Sequence, residues 1–290
     1  MITDILYILT EDFNFSFRLK TKLDEKKISF RLLDFDYKIP SLVSIILTTL
    51  EEEPKIKKTN EKQILLPYSR EDDFEEYFIR VLATLRVGFK PYYEKLIFSI
   101  DPGKKYGLII FLDDFYLDSF CCFDKKEILR KIKLYLRAFQ AKNPKLLKLH
   151  FKLGRGVLSL AHDLVTEIYK LIPKNHETII ELIDEYKSSQ IKINNNDLWF
   201  KFTKDEISAI IIALREGIEV SRDDFEKVFI RLKKNKLERN RMKILDHQKI
   251  RENLLNIADV VKLILKGKFS LKQATEYISY WNENNFILKN

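Results

Sequence analysis

Two rhythms of apolar residues run along this chain. Short continuous or alternating runs read as strands, and apolar positions three and four residues apart read as helices. In the first ninety residues the runs at 5–10, 28–35, 43–48 and 63–66 predict strands. Between them, Leu19 and Leu23 define one face of a helix over 16–26, and Phe78, Val81, Leu82 and Leu85 define the inner face of a helix over 72–89. The alternation predicts a small parallel βαβ layer.

A second series begins near Tyr93. An apolar run at 96–100 ends in Asp101, turns at Pro102-Gly103 and returns at 107–111, which predicts a hairpin carrying an acid at the tip of its first strand. A third strand is predicted over 115–123. Asp124-x-x-Glu127 then signals the start of a helix reaching about 141. After Asn143-Pro144 the pattern reads strand at 147–153, the turn Gly154-Arg155-Gly156, helix at 157–171, strand at 177–184, and helix at 204–216 closed by Gly217. The last seventy residues are helical, with an apolar stripe over 253–266 and a final helix capped by Ser270-x-x-Gln273. The fold class expected is α/β in three regions. They are an N-terminal α/β unit (1–92), a central mixed sheet flanked by helices (93–220), and a basic helical C-terminal region (221–290).

Composition narrows the classes. The 290 residues are 46% apolar, enough for a substantial core, and with seven Gly and seven Pro there is little room for long linkers. The net charge of +9 favours a polyanionic partner, nucleic acid or an acidic membrane surface. No apolar window is long enough to cross a bilayer and Met1-Ile2-Thr3-Asp4 lacks a basic secretory start, so a cytoplasmic protein with no membrane partner is expected. Cys121 and Cys122 are adjacent, the wrong spacing for a zinc pair, and read as small hydrophobes.

Several motifs carry a family resemblance. Ile100-Asp101-Pro102-Gly103 followed by Gly107-Leu108-Ile109 resembles the opening of RNase H-like nucleases of the RuvC and YqgF type. Leu149 to Gly156 resembles the fourth strand and glycine turn of YqgF-type proteins, and Ile180 to Ser189 their fifth strand, with its Asp184-Glu185 pair. Lys204 to Gly217 resembles their closing helix, in which an acid precedes a face of small residues. The order of three antiparallel strands followed by helix-linked parallel strands is also RNase H-like. Leu47-Thr48-Thr49 before acids is similar to an uncharacterised archaeal family with an N-terminal βαβ unit.

The resemblance implies a metal-dependent nuclease acting on DNA or RNA, branched or otherwise structured. Hydrolysis on this fold employs two divalent ions ~4 Å apart, Mg²⁺ or Mn²⁺, held by carboxylates at neighbouring strand ends. The candidate acids are Asp101, Asp184 or Glu185, and Asp205 or Glu206, with Asp101, Asp184 and Glu206 as metal ligands. Strand alternation favours Asp184 over Glu185, because Ile180, Leu182 and Asp184 form the more apolar set. Glu206 has a structural rival role, since Thr203-x-x-Glu206 is a capping box. RuvC-like resolvases carry an acid at the end of the fourth strand, where this chain has Leu153-Gly154-Arg155, a departure that YqgF-like proteins tolerate.

Phosphate contact is expected from Lys104, Lys105, Lys152 and Arg155, and from Lys233, Lys234, Lys236, Arg239, Arg241 and Lys243. The last six lie between residues 231 and 251, where nine Lys or Arg face two acids. A homodimer would suit a symmetric junction. Two other classes remain open on the sequence. One is a nucleic-acid-binding scaffold of the same fold that no longer cuts. The other is a signalling protein whose N-terminal unit is a receiver-like layer using Asp12 or Asp36.

Overall fold

The computed structural model describes residues 5–36, 39–40, 43–141, 143–185, 201–239 and 251–287. The chain divides into two compact units, residues 1–91 and 92–290.

The first unit is a four-stranded parallel sheet built from β1 (Ile5–Leu9), β2 (Arg31–Leu33), β3 (Ser44–Thr49) and β4 (Gln63–Tyr68), in the order β2-β1-β3-β4. Every residue of β3 is buried, the continuous burial expected of an inner parallel strand covered on both faces. Helix α1 (Phe13–Glu25) starts where Asp12 accepts the amide of Phe15, and it buries Phe15, Leu19 and Leu23. Helix α2 (Phe74–Arg86) is capped by Asp73 and buries Phe78, Val81 and Leu82. The parallel layer read from the sequence is present, although β2 is only three residues long.

The second unit carries a six-stranded mixed sheet. A hairpin of β5 (Lys95–Pro102) and β6 (Tyr106–Leu112) is extended antiparallel by β7 (Phe115–Cys122). Helix α3 (Lys125–Gln140) leads to β8 (Lys148–Gly154), which lies parallel to β5, and helix α4 (Leu158–Leu171) leads to β9 (Thr178–Ile183), parallel to β8. Helix α5 (Lys204–Ala213) follows, and β10 (Ile218–Val220) closes the edge antiparallel to β9, giving the order β10-β9-β8-β5-β6-β7. Three helices complete the chain, α6 (Phe225–Arg239), α7 (Arg251–Leu265) and α8 (Leu271–Ile287).

Helix α5 is buried along nearly its whole circumference, from Glu206 to Ala213. A helix apolar on every side has to lie inside the protein. One core joins Ile207, Ala209, Ile210 and Ile211 to Ile97, Ile109 and Phe111 of the sheet and to Val260, Val261, Ile264 and Leu271 of α7 and α8. The C-terminal helices therefore share the core of the second unit rather than forming a separate third region. Ser270 and Gln273 exchange hydrogen bonds at the start of α8, as the capping signal predicts.

Three features depart from the sequence reading. The first and fifth strands of the unit, β5 and β9, are not neighbours, because β8 pairs with both. Helix α5 ends at Ala213, short of Gly217. That glycine serves a close approach instead: a Cβ there would stand 2.8 Å from the carbonyl oxygen of Leu182, where the chain turns back to form β10. The strand at β10 was not anticipated at all, since three residues leave no period to read.

Candidate functional site

Strand β5 delivers Asp101 to the carboxyl edge of the sheet, opposite Gly107 on β6. Gly107 is needed there because α5 begins directly above it. A Cβ on Gly107 would lie 2.0 Å from the carbonyl oxygen of Asp205. A glycine inside an otherwise apolar strand is the sequence signal of such an approach. The helix start is secured by Thr203, whose hydroxyl accepts the amide of Glu206, while Glu206 Oε2 accepts the amide of Thr203 at 2.8 Å.

From β9 the chain brings Glu185 toward the same edge. Its carboxylate rests in the turn Gly154-Arg155-Gly156 and accepts the amide of Gly156 at 2.9 Å. Side chains at residues 154 or 156 would collide with it, since a Cβ on either glycine would stand 2.0 to 2.2 Å from a Glu185 oxygen. The glycine turn thus accommodates a carboxylate of the chain itself.

Electrostatics mark Asp101. Burial pushes its carboxyl up to about 7, the charges of Glu185 and then Asp205 push the same way, and a hydrogen bond from Ser208 and the charge of Lys204 only partly oppose them. Three acids from β5, the β9 exit and the α5 start therefore share one electrostatic neighbourhood. Asp205 also lies against the thiol of Cys121 on β7, with Sγ 3.7 Å from Oδ2. Burial above all raises that thiol, so Cys121 stands as a neutral donor. Among the described residues no three His, Cys, Asp or Glu side chains stand together as a group able to hold a metal ion.

The structure sorts the remaining candidates. Asp184, favoured by strand alternation, is exposed and pairs with Arg155 at 2.9 Å. Alternation fails because β9 ends at Ile183, so neither acid is a strand residue. Glu206 is buried and occupied by its own helix cap. Lys152 is not available to phosphate: it is 7% exposed, and its Nζ donates to the carbonyls of Ala213 and Arg215 at 3.0 and 2.7 Å, neutralising the C-terminal end of α5. Burial holds that ammonium below its usual range. Arg155 is committed to Asp184, whereas Lys104 and Lys105 are exposed at the hairpin tip. Lys233 and Lys234 are exposed on α6, Lys236 and Arg239 fall in its last turns, and Arg241 and Lys243 lie outside the described residues. In the first unit Asp12 is consumed as the α1 cap and by Arg70 at 2.9 Å, which leaves it poorly suited to a receiver-like role.

Sequence reasoning missed Ser208, Cys121 and Gly107. Ser208 and Gly107 had usable signals, the small-residue face of α5 and a glycine inside an apolar strand. Among the described residues no helix is long and apolar enough to cross a membrane. No protein-family model matches this chain, and no curated protein is detectably similar to it.

Proposed function

We propose that this chain is an RNase H-like nuclease of the RuvC/YqgF type that hydrolyses phosphodiesters in structured DNA or RNA, with Asp101, Glu185 and Asp205 as its acidic set. The observation that carries this reading is the charge crowding at Asp101, a half-buried carboxyl whose proton affinity is raised by burial and by two acids arriving from distant elements. Perturbed groups of this kind concentrate at functional sites. The strand order β7-β6-β5-β8-β9, with α5 laid across the sheet, supports the same reading.

Hard oxygen donors are what Mg²⁺ or Mn²⁺ requires, so the donor set fits such an ion in chemistry, although the described residues contain no ready-made group of three. Asp101, Asp205 and Glu185 are the residues that would hold it. When bound, a divalent ion would supply an activated water and stabilise the leaving oxygen. Around it, Ser208 orients Asp101 by a hydrogen bond, and Cys121 offers its thiol proton to Asp205. Asp184 and Arg155 neutralise one another beside the glycine turn.

A second reading has its own observation. Glu185 already accepts the Gly156 amide and Asp184 is already paired, which suits a nucleic-acid-binding scaffold that no longer cuts. Cleavage of labelled single-stranded, duplex and four-way-junction DNA, and of matching RNA, in Mg²⁺ and in Mn²⁺ separates the two. Metal-dependent cutting by the wild type that is lost in Asp101→Asn is expected. Salt-sensitive binding without cutting by either protein overturns the nuclease and leaves the scaffold.

A further inference from the structure

Helix α3 differs from α4, α7 and α8 in how it treats its charge. Helices α4, α7 and α8 each set a lysine against an acid one turn away, in the pairs Lys170–Glu167, Lys262–Asp259 and Lys272–Glu276. Helix α3 carries six Lys or Arg and one acid, Glu127. Glu127 is spent at the helix start, where its Oε2 accepts the amide of Phe123 at 2.9 Å. The inner face of α3 is filled by Ile128, Ile132, Tyr135 and Phe139. Lys126, Arg130, Lys133 and Arg137 are all exposed. Their spacing of four, three and four residues makes a single stripe along the helix, ~17 Å from end to end at 1.5 Å per residue. Among the described residues no carboxylate ion-pairs with Lys126, Arg130 or Lys133.

The stripe begins beside an exposed aromatic ring. Phe123, at the end of β7 and 70% exposed, has the ammonium of Lys105 4.9 Å from its ring centre. Lys105 belongs to the hairpin tip that follows Asp101. An exposed ring beside a cation matches the stacking platform and electrostatic track with which proteins hold single strands. An acidic membrane surface would also answer the lysines and the ring; nucleic acid is favoured because Lys105 links the ring to the hairpin tip that follows Asp101.

We infer that α3 is a nucleic-acid track. The sugar-phosphate backbone of one strand lies along Lys126, Arg130, Lys133 and Arg137, a base stacks on Phe123, and the strand continues past Lys105 toward the acidic edge. This deepens the nuclease reading and rests on its nucleic-acid partner, but it does not require cutting.

The test is fluorescence anisotropy of a labelled single-stranded DNA and its RNA counterpart, titrated in EDTA at several salt concentrations. The full-length wild type is compared with the double variant Arg130→Gln/Lys133→Gln and with Phe123→Ala. Each change is at an exposed position, and thermal melting checks that the fold is kept. The double variant is expected to bind about tenfold more weakly, and its slope of log affinity against log salt to be shallower by ~1.4, or ~0.7 for each lost phosphate contact. Phe123→Ala is expected to weaken binding about fivefold or more with little change of slope. Unchanged affinity and slope in the double variant overturn the track while leaving the nuclease reading standing. Absence of wild-type binding to either single strand also overturns the track and leaves the nuclease reading to its own cleavage test, and binding to phosphatidylserine vesicles alone that is lost in the double variant overturns the track in favour of a membrane surface.

Discussion

Each unit of this protein brings an acid to the carboxyl end of a central strand, and the two acids meet opposite fates. In the first unit Glu52 follows β3 and is 7% exposed. Its carboxylate accepts the hydroxyls of Thr10 and Thr49 at 2.5 and 2.7 Å and the amide of Glu11 at 2.6 Å. Burial alone would raise its titration, but these donors outweigh burial and hold it below the usual carboxylate range. In the second unit Asp101 is surrounded by other acids and pushed up to about 7. Glu52 is a charge solvated by three donors, whereas Asp101 is a carboxyl crowded by like charge that a hydrogen bond from Ser208 only partly offsets. A buried acid alone therefore says little about function. The donors around it decide whether it is structure or site.

The largest effect expected is on cleavage. Asp101→Asn should lower metal-dependent turnover about a thousandfold, the equivalent of ~4 kcal/mol, as read from single-turnover rates. Glu52→Gln should leave that rate unchanged, and a comparable loss there would erase the contrast.

The same Asp101 variant should be more stable than the wild type at neutral pH. Because the folded carboxyl titrates above its unfolded value, its contribution is fully present below about pH 4 and is lost as pH rises through about 7, a cost of up to ~4 kcal/mol. Melting temperatures taken from about pH 4 to about pH 8 should therefore fall more in the wild type than in Asp101→Asn, and Mg²⁺ should recover part of the loss only in the wild type. Parallel pH profiles would show that Asp101 is as well solvated as Glu52.

Glu52 has the reverse sign. Its stabilisation is present above the unfolded carboxylate range and disappears as pH falls through the lower folded value. Glu52→Gln should cost ~1–3 kcal/mol in denaturant unfolding, because the amide nitrogen that replaces one oxygen cannot accept the donors that converge on it. The smallest effect belongs to Glu206. Glu206→Ala should cost ~1 kcal/mol from the lost cap with turnover within a few-fold of wild type, while Glu206→Gln should restore stability. A thousandfold loss in Glu206→Gln would return that residue to the site.

Much of the architecture was legible because it depends on local pattern. The hairpin, the third strand, α3 with its Asp124 cap and the β8–α4–β9 succession all follow from apolar runs, caps and breaks within a few residues of one another. The acids were legible as a short list, but their roles were not. Asp184 and Glu185 sit side by side, and the choice between them turned on where β9 ends and on a glycine turn contributed by β8. Lys152 read as a phosphate contact because nothing near it in sequence reveals the carbonyls of Ala213 and Arg215. Glu206 read two ways, and the capping geometry decided it.

What the sequence determined alone was the order of strands and helices apart from β10, the acids at strand ends and the excess of positive charge, since each follows from residue type and nearest neighbours. What only the tertiary structure decided was which carboxylates are met by donors and which are crowded by other acids. The solvation of a buried charge is set by groups within a few ångströms, and here these come from elements far apart in the chain. Glu52 is solvated by donors from the ends of β1 and β3, and Asp101 is crowded by acids that the β9 exit and α5 bring to it.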